Sequence, residues 1–346
     1  MKIALITDAW RPQINGVVTT LQTICQQLRI AGHQVDSITP DQFRNWPCPT
    51  YPEIRLALGC GKKLRARLDE LQPDAIHIAT EGPLGMAARS YCHKRGLPYT
   101  TSFHTLFAEY LSVRTGAPLS WGYAALRWFH GRSERIMTAT PALVAELKKR
   151  GFGNPVLWSR GVDTELFQPG DKNFLEGPRP IMLYTGRVAV EKNIEAYLKL
   201  DVPGTKYVVG DGPQRQKMEK KYPEVRFVGY KLGEELAQHI AAADVFVFPS
   251  HTDTFGLVML EALACGVPVA AFPVPGPNDV ILSDKVGCLN EDLKHAIDTA
   301  LTLDAQDCRE YALQYSWRNC ARLFESYLAP ISRTVTRPVA WWQRSS

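Results

Sequence analysis

The strongest constraint on this chain is a regular alternation of short apolar runs with helical patterns, which starts again halfway along the sequence. In the first half, runs rich in β-branched residues begin at Lys2, His33, Asp74, Pro98, Arg135 and Pro155. In the second half they begin at Ile181, Thr205, Val225, Asp244 and Pro268. Strands that alternate with helices form βαβ units and a parallel sheet. The sequence therefore predicts an α/β protein with two Rossmann-like, doubly wound domains.

Residues 168–180, which are rich in proline, glycine and charge, separate the two halves and form the predicted linker. We expect an N-terminal domain over residues 1–168 and a C-terminal domain over residues 169–315. A helical pattern over residues 316–330 closes the chain and can pack back on the first domain, and residues 331–346 form a tail. Because ligands bind parallel sheets at the carboxyl ends of their strands, two facing sheets predict a cleft between the domains.

The composition narrows the choice of partners. The net charge of +5 suits a diphosphate ligand or an anionic membrane surface, although an ordinary surface with a slight excess of cations explains it equally well. Nucleic acid is not indicated, because long runs of like charge are missing. The eight cysteines contain no CxxC pair of the zinc-ribbon or thioredoxin type. Apolar stretches are too short for a signal peptide or a membrane span. We therefore expect a cytoplasmic protein that can lie on the cytoplasmic face of a membrane.

Residues 249–269 carry the most chemical information. They contain a helix that is predicted to begin near Phe255 or Gly256 and is apolar on nearly every face, which is typical of a buried helix. Glu261 is its one charge, and a buried carboxylate needs partners. These are either hydroxyl groups of a ligand or a structural Arg or Lys. The first turn offers free N–H groups and the positive end of the helix dipole, which together predict an anion site.

Charged residues in neighbouring turns extend this prediction. Asp253 lies eight residues before Glu261, and it either grips a ligand or caps the helix. Arg187 and Lys192 follow the strand that begins at Ile181. They either hold a diphosphate or are two surface cations.

Further candidates stand at the ends of other strands. Gly210 and Gly212 follow a strand, but the third glycine of the dinucleotide fingerprint is missing, which argues against a dehydrogenase. Gly16 opens the first helix, where it either approaches a phosphate or an acceptor or is a plain turn glycine. His104 lies at the carboxyl end of a strand, either at the cleft or as a structural histidine.

Several segments taken together resemble the family-4 retaining glycosyltransferases, which have the GT-B fold. They are, in family order, PQINGVV, DAIHIATEGPLG, SFHTLF, RGVDTELFQP, GRVAVEKN, VVGDGPQ and TDTFGLVMLEALACGVPV. The resemblance covers almost the whole chain. Within the family the chain is similar to GDP-mannose-dependent α-mannosyltransferases, and to bacterial and plant enzymes that glycosylate diacylglycerol or phosphatidylinositol lipids.

The resemblance implies a set of site residues. The catalytic residues would be His104 beside the transferred sugar, Asp253 as the first carboxylate of the family's E-x7-E motif, and Arg187 and Lys192 on the diphosphate. The donor-binding residues would be Gly16, Gly210, Gly212, Phe255, Gly256, Leu257 and, on the nucleotide ribose, Glu261. Asp253 departs from the family's glutamate by one methylene, which puts its contact to the sugar, and so the choice of donor, in question.

The resemblance also implies the reaction. A hexosyl group would pass from a nucleotide sugar to an acceptor with retention, without a metal or other cofactor. GDP-mannose is the favoured donor, with UDP-glucose or UDP-glucuronate as alternatives. The acceptor would be a membrane lipid such as diacylglycerol, held by the N-terminal domain.

Aromatic and basic residues in two regions of the N-terminal domain fit a lipid acceptor. They mix over residues 119–135, and four cations lie close together at Lys62, Lys63, Arg65 and Arg67. Such mixing is typical of a surface that meets lipid, but a solvated helix face explains it as well. The tail, with its two adjacent tryptophans, either touches a membrane or is a frayed end.

Two other functions fit the same patterns. A GT-B epimerase or phosphorylase would use a similar site, and a nucleotide-sugar epimerase would release an altered free sugar. A non-catalytic scaffold that binds nucleotide sugars would need the fold but not these side chains. The intact Arg187, Lys192 and Glu261 argue against it.

Overall fold

The computed structural model describes residues 1–13, 15–48, 51–104, 108, 116, 118–251, 253 and 255–332. The predictions for the tail beyond residue 332 therefore lie outside the described residues. The predicted architecture of two doubly wound parallel sheets is confirmed.

The N-terminal domain is built on a six-stranded parallel sheet. The strands of this domain are β1 (Lys2–Ile6), β2 (Gln34–Ile38), β3 (Asn45–Cys48), β4 (Tyr51–Ala57), β5 (Ala75–Ile78), β6 (Thr100–Phe103), β7 (Ile136–Thr138) and β8 (Pro155–Leu157). The sheet has the order β2–β1–β5–β6–β7–β8, and β3 and β4 form a separate antiparallel pair. The helices are α1 (Gly16–Ile30), α2 (Gly61–Leu71), α3 (Pro83–Arg95), α4 (Leu119–His130) and α5 (Pro141–Lys149).

The C-terminal domain repeats the architecture with a different strand order. Its strands are β9 (Ile181–Thr185), β10 (Thr205–Val209), β11 (Arg226–Gly229), β12 (Val245–Phe248), β13 (Val269–Ala271) and β14 (Gly287–Leu289). Its helices are α6 (Glu195–Leu198), α7 (Arg215–Lys221), α8 (Gly233–Ala241), α9 (Leu257–Ala264), α10 (Pro277–Val280), α11 (Leu293–Ala300) and α12 (Ala305–Ala312). The sheet runs β11–β10–β9–β12–β13–β14, so the strand order reverses between β9 and β12. That switch point is where such sheets bind ligands.

The last helix, α13 (Trp317–Tyr327), crosses back and packs on α1 of the N-terminal domain. Its Phe324 is fully buried, in one apolar cluster with Leu21 of α1. At the crossing, the Val162 N–H donates to the Tyr315 carbonyl at 3.0 Å. A side chain on Gly161 would begin only 2.6 Å from the Trp317 nitrogen, so only glycine lets the two crossing segments run this close.

The structure contains two features that the periodicity did not predict. The β3–β4 pair has Pro47 within a strand, and proline is normally excluded from all but edge strands. Strand β14 lies outside the apolar runs from which the other strands were predicted. Within the described residues, no helix is long and apolar enough to cross a membrane.

Candidate active site

Two turns meet at the switch point of the C-terminal sheet. The turn after β9 carries Arg187 and Lys192, and the loop after β12 carries Asp253. Asn193 joins them, because its side-chain amide donates to the Pro249 carbonyl at 3.0 Å. Asn193 has a left-handed backbone with φ of 48°, which Asn tolerates better than most residues. The sequence patterns gave this residue no role, although an Asn directly after a turn is the signal for such a backbone.

The structure pairs two of the predicted site residues with each other. The Lys192 ammonium donates to Asp253 Oδ1, while Asp253 Oδ2 is buried and has no hydrogen-bond donor among the described residues. Arg187 Nη1 lies 4.0 Å from Glu191 Oε1. Both cations therefore lie at the carboxyl edge of the sheet, with acids of the chain beside them.

Helix α9 begins at this point. Its N-cap is Gly256, with φ of 83°, and not Asp253, so the helix-cap explanation of Asp253 is not supported. A side chain on Gly256 would begin 2.7 Å from Met259 Cε. Within the described part of the chain, nothing accepts from the main-chain N–H groups of Phe255, Gly256 and Leu257. The helix therefore offers its positive end to the switch point.

Glu261 lies one turn further along α9. Its carboxylate has no hydrogen-bond or ion-pair partner among the residues that the structure describes, so the structural Arg or Lys alternative is not found there. The side chain is only partly buried, yet burial of the carboxyl group raises its pKa to about 7. The cause is desolvation, which disfavours the ionised form. This acid is therefore available for a ligand.

Gly210 and Gly212 lie where the structure leaves no room for a side chain. A side chain on Gly210 would begin 1.9 Å from the Gly186 carbonyl oxygen, and one on Gly212 2.4 Å from the Val188 carbonyl oxygen. Both glycines thus let β10 lie against the turn that carries Arg187. Their predicted contact with the donor stays a prediction, since this packing alone accounts for both.

The N-terminal domain faces α9 across the gap between the sheets. A side chain on Gly16 would begin 3.4 Å from Leu257 Cδ1. On the same side, the Ala142 N–H of α5 donates to Asp279 Oδ1 of α10 at 3.3 Å. Gly16 and Leu257, predicted from distant parts of the sequence, are therefore brought together where the domains meet.

His104 follows β6 and is buried, with 9% of its surface exposed. Its Nδ1 lies 3.3 Å from Nη2 of Arg160. Burial, and then the neighbouring Arg160 charge, hold the pKa of His104 well below its usual value, so the ring is neutral. Arg160 is a residue that the sequence analysis missed. It opens the segment RGVDTELFQP, which carried the resemblance but received no role.

The described residues contain no group of three or more His, Cys, Asp or Glu side chains that could hold a metal ion. The predicted site residues supply cations, amide groups, carboxylates and one neutral imidazole. This is a set suited to an anionic, hydroxyl-rich ligand.

Comparisons with known proteins identify the family of this chain. Residues 14–166 match the family model for Glycosyltransferase Family 4, and residues 179–303 match that for glycosyl transferases group 1. A GDP-mannose-dependent alpha-mannosyltransferase of Mycobacterium tuberculosis is 29% identical, with 90% of each chain covered. An alpha-monoglucosyldiacylglycerol synthase of Streptococcus pneumoniae is 27% identical, over 90% of this chain and 81% of the relative.

Solved structures show the same architecture. Sucrose-phosphate synthase from Thermosynechococcus elongatus superposes with a TM-score of 0.77 and 22% identity, covering 94% of this chain and 97% of that one. This similarity shows the fold. The two family models, which span most of both domains, and the relatives named as transferases show a hexosyltransferase that uses a nucleotide sugar. The chain belongs to the family-4 glycosyltransferases of the GT-B fold.

Proposed function

We propose that this enzyme transfers a hexosyl group, with mannose from GDP-mannose favoured, to a membrane lipid such as diacylglycerol, with retention at the anomeric carbon. UDP-glucose and UDP-glucuronate are the alternative donors. The observation that carries the donor side is the meeting of Lys192, Arg187 and the free first turn of α9 at one switch point.

The diphosphate of the donor would lie between these groups. Arg187 offers a planar fork that matches two phosphate oxygens, and Lys192 offers a point charge. The N–H groups of Phe255, Gly256 and Leu257 add neutral donors at the positive end of a helix. Binding would shift the Lys192 charge partly from Asp253 to phosphate, which frees a carboxylate oxygen for hydroxyl groups of the sugar.

The nucleotide ribose would lie against Glu261. The ionised carboxylate accepts hydrogen bonds from two hydroxyl groups, which replace the water lost on burial. An acid without a cation nearby suits such a neutral diol, because a cation would compete with the hydroxyl groups.

For the transfer step we propose the front-face route that the family resemblance implies. The bond between the anomeric carbon and the diphosphate oxygen breaks, and a bond from the same carbon to the acceptor oxygen forms on the same face. The acceptor's hydroxyl proton passes to the departing phosphate oxygen. Arg187, Lys192 and the α9 amides stabilise the charge that develops on the leaving diphosphate.

The acceptor side rests on an exposed face of α4. Trp121 is 71% exposed and Trp128 is 56% exposed, and they lie two helical turns apart on one face of the helix. Arg127 and Arg132 are exposed beside them. Aromatic rings flanked by cations favour the boundary of an anionic membrane. This face would place the N-terminal domain on the cytoplasmic surface of the membrane, where lipid hydroxyl groups are available.

The test is incubation with radiolabelled GDP-mannose, UDP-glucose or UDP-glucuronate, each with vesicles that contain diacylglycerol, phosphatidylinositol or neither. Label from GDP-mannose should enter lipid only when a lipid with a free hydroxyl is present. Label from a UDP sugar alone would correct the donor. Release of an altered free sugar without acceptor would favour an epimerase, and donor binding in calorimetry without any turnover would favour the scaffold.

A further inference from the structure

Arg160 is a buried cation that no carboxylate of the described residues neutralises. Only 5% of its surface is exposed, and within the described part of the chain no carboxylate lies at ion-pair distance from it. Burial lowers the pKa of Arg160 to about 10, so it stays protonated at neutral pH. Buried charges are normally paired, so this one requires a reason.

The hydrogen bonds of Arg160 give that reason. Its Nη1 donates to the Trp158 carbonyl at 2.6 Å, and the guanidinium carbon lies 4.3 Å from the centre of the Trp158 ring. Its Nη2 points to Nδ1 of His104 at 3.3 Å. The Trp158 ring also stands edge-on to His104, with 6.0 Å between ring centres. Trp158 thus holds the guanidinium in place, and the free edge of the guanidinium meets the imidazole.

A guanidinium has donors and no acceptor. When it donates to Nδ1, that nitrogen must use its lone pair, and the one proton of a neutral imidazole must then sit on Nε2. Resting on the proposed transfer reaction, we infer that Arg160 is a positioning residue. It holds His104 as the Nε2–H tautomer, so that Nε2 donates a hydrogen bond to a hydroxyl group of the transferred sugar.

The other titratable groups around His104 fit this assignment. His77 on β5 is locked between Thr100 and Ser102, each at 2.9 Å, and burial lowers its pKa to about 3. His130 on α4 contacts the Thr101 hydroxyl at 2.9 Å and Glu81 at 3.2 Å. Both rings are thus engaged with their own partners, and the Arg160 contact at Nδ1 is the one on which the tautomer assignment rests.

The direct test is nitrogen NMR of protein labelled with 15N-histidine, with His104 assigned by His104→Asn. At pH 7 the wild-type ring should show a protonated Nε2 and an unprotonated Nδ1. Arg160→Met, which keeps the length of the side chain but removes its donors, should give a mixture of tautomers. A wild-type ring with its proton on Nδ1, or on both nitrogens, overturns the inference even if the variants fold poorly.

Kinetics separate positioning from a purely structural role. Arg160→Met should lower kcat roughly tenfold or more, as for loss of an oriented hydrogen-bond donor, with KM for the nucleotide sugar changed less than about twofold. Arg160→Lys, which keeps one cationic donor group, should recover part of kcat. If Arg160→Met leaves kcat and the His104 signals unchanged, the inference is wrong.

Arg89 supplies a matched control. It is 8% exposed, lies 3.8 Å from the centre of the Trp128 ring and donates to the Phe129 carbonyl at 3.0 Å. Arg89→Met should lower thermal stability about as much as Arg160→Met but leave the His104 nitrogen signals as in wild type. Because the NMR needs no substrate, its outcome is independent of the transfer assay, whose failure would count against the proposed function instead.

Discussion

Two charged groups, one in each domain, differ in whether the protein supplies their hydrogen-bond partners. In the C-terminal domain, Glu261 has no partner within the described chain and stays partly accessible. In the N-terminal domain, Asp8 is buried at the end of β1 and accepts from the Leu84 N–H at 3.0 Å and from the Thr80 hydroxyl at 3.1 Å. Arg160 is equally occupied by carbonyls and His104.

This difference distinguishes charged groups that can bind a ligand from charged groups that stabilise or position other parts of the protein. An accessible acid without partners keeps its hydrogen-bonding capacity for a ligand, at the expense of stability when it ionises. A buried charge whose hydrogen bonds are all made inside the protein can act only through its neighbours. Charges of the C-terminal site should therefore be needed for activity, and charges of the N-terminal domain mainly for stability or positioning.

The largest effect should come from the diphosphate site. Lys192→Met removes a cation from the developing charge of the leaving group, and we expect transfer to fall by roughly 10² to 10³-fold. Thermal stability should change little, because the lost contact is one ion pair at a partly exposed edge. The measurement is kcat/KM for the nucleotide sugar, together with a melting curve.

Lys221→Met is the control for this variant. Lys221 also pairs with a carboxylate, that of Glu195, in the same domain, but both side chains are largely exposed. Transfer by Lys221→Met should equal that of wild type. If both lysine variants lose activity alike, or neither does, Lys192 has no special role in binding the donor.

The next largest effect should come from Asp8, whose carboxylate is bound by groups of the protein itself. Asp8→Ala leaves the Leu84 and Gly85 N–H groups and the Thr80 hydroxyl without their acceptor. Each unsatisfied buried donor costs about 1 kcal/mol or more, so we expect a loss of about 3 kcal/mol in the free energy of unfolding. Urea denaturation measures it, and Asp8→Asn, which keeps one oxygen acceptor, should lose clearly less. Equal stability of Asp8→Ala and wild type would contradict this.

The sequence predicted the frame of both domains better than their contacts. The alternation of periods located the strands of both sheets except β14, and the glycines and charges at strand ends predicted where a ligand would bind. It could not tell that Lys192 pairs with Asp253, because that contact joins two turns 61 residues apart. Nor could it find the bond from Arg160 to His104, which spans the ends of β6 and β8.

The glycines show the same limit. Gly210 and Gly212 stood out in the sequence as a fragment of a phosphate-binding pattern. The structure gives them a packing reason, close contact with the turn after β9. Sequence spacing records that a side chain is missing, but only coordinates say which atoms occupy its place.

The pH dependence of stability tests whether Glu261 lacks partners in the folded protein. The pKa of its carboxyl is about 7 in the folded protein against an ordinary 4.5, so between these values the unfolded chain is ionised while the folded one still holds the proton. Raising the pH through this window therefore destabilises wild type. Glu261→Gln lacks this penalty and should be more stable at pH 8, by up to about 3 kcal/mol, but equal near pH 4.5.

Urea denaturation at a series of pH values measures this difference. The same variant should bind nucleotide diphosphate more weakly at pH 8, where wild-type Glu261 is ionised, as measured by calorimetry. If the stability of both proteins depends on pH in the same way, the ionised Glu261 carboxylate has stabilising partners in the folded protein. Glu261 would then not differ from Asp8 in this respect.

The smallest effect should come from the exposed tryptophans of α4, on the surface of the N-terminal domain. Trp121→Ser and Trp128→Ser should each weaken binding to anionic vesicles by roughly tenfold, the size expected for withdrawing one large apolar side chain from an apolar environment.

Trp46, which is 64% exposed on β3, provides a control, since Trp46→Ser removes an equally exposed ring outside α4. Sedimentation with vesicles measures the partition. Equal losses from all three substitutions would mean that exposed tryptophan, and not the α4 face, governs binding, and the N-terminal domain would then lack a defined surface for the acceptor.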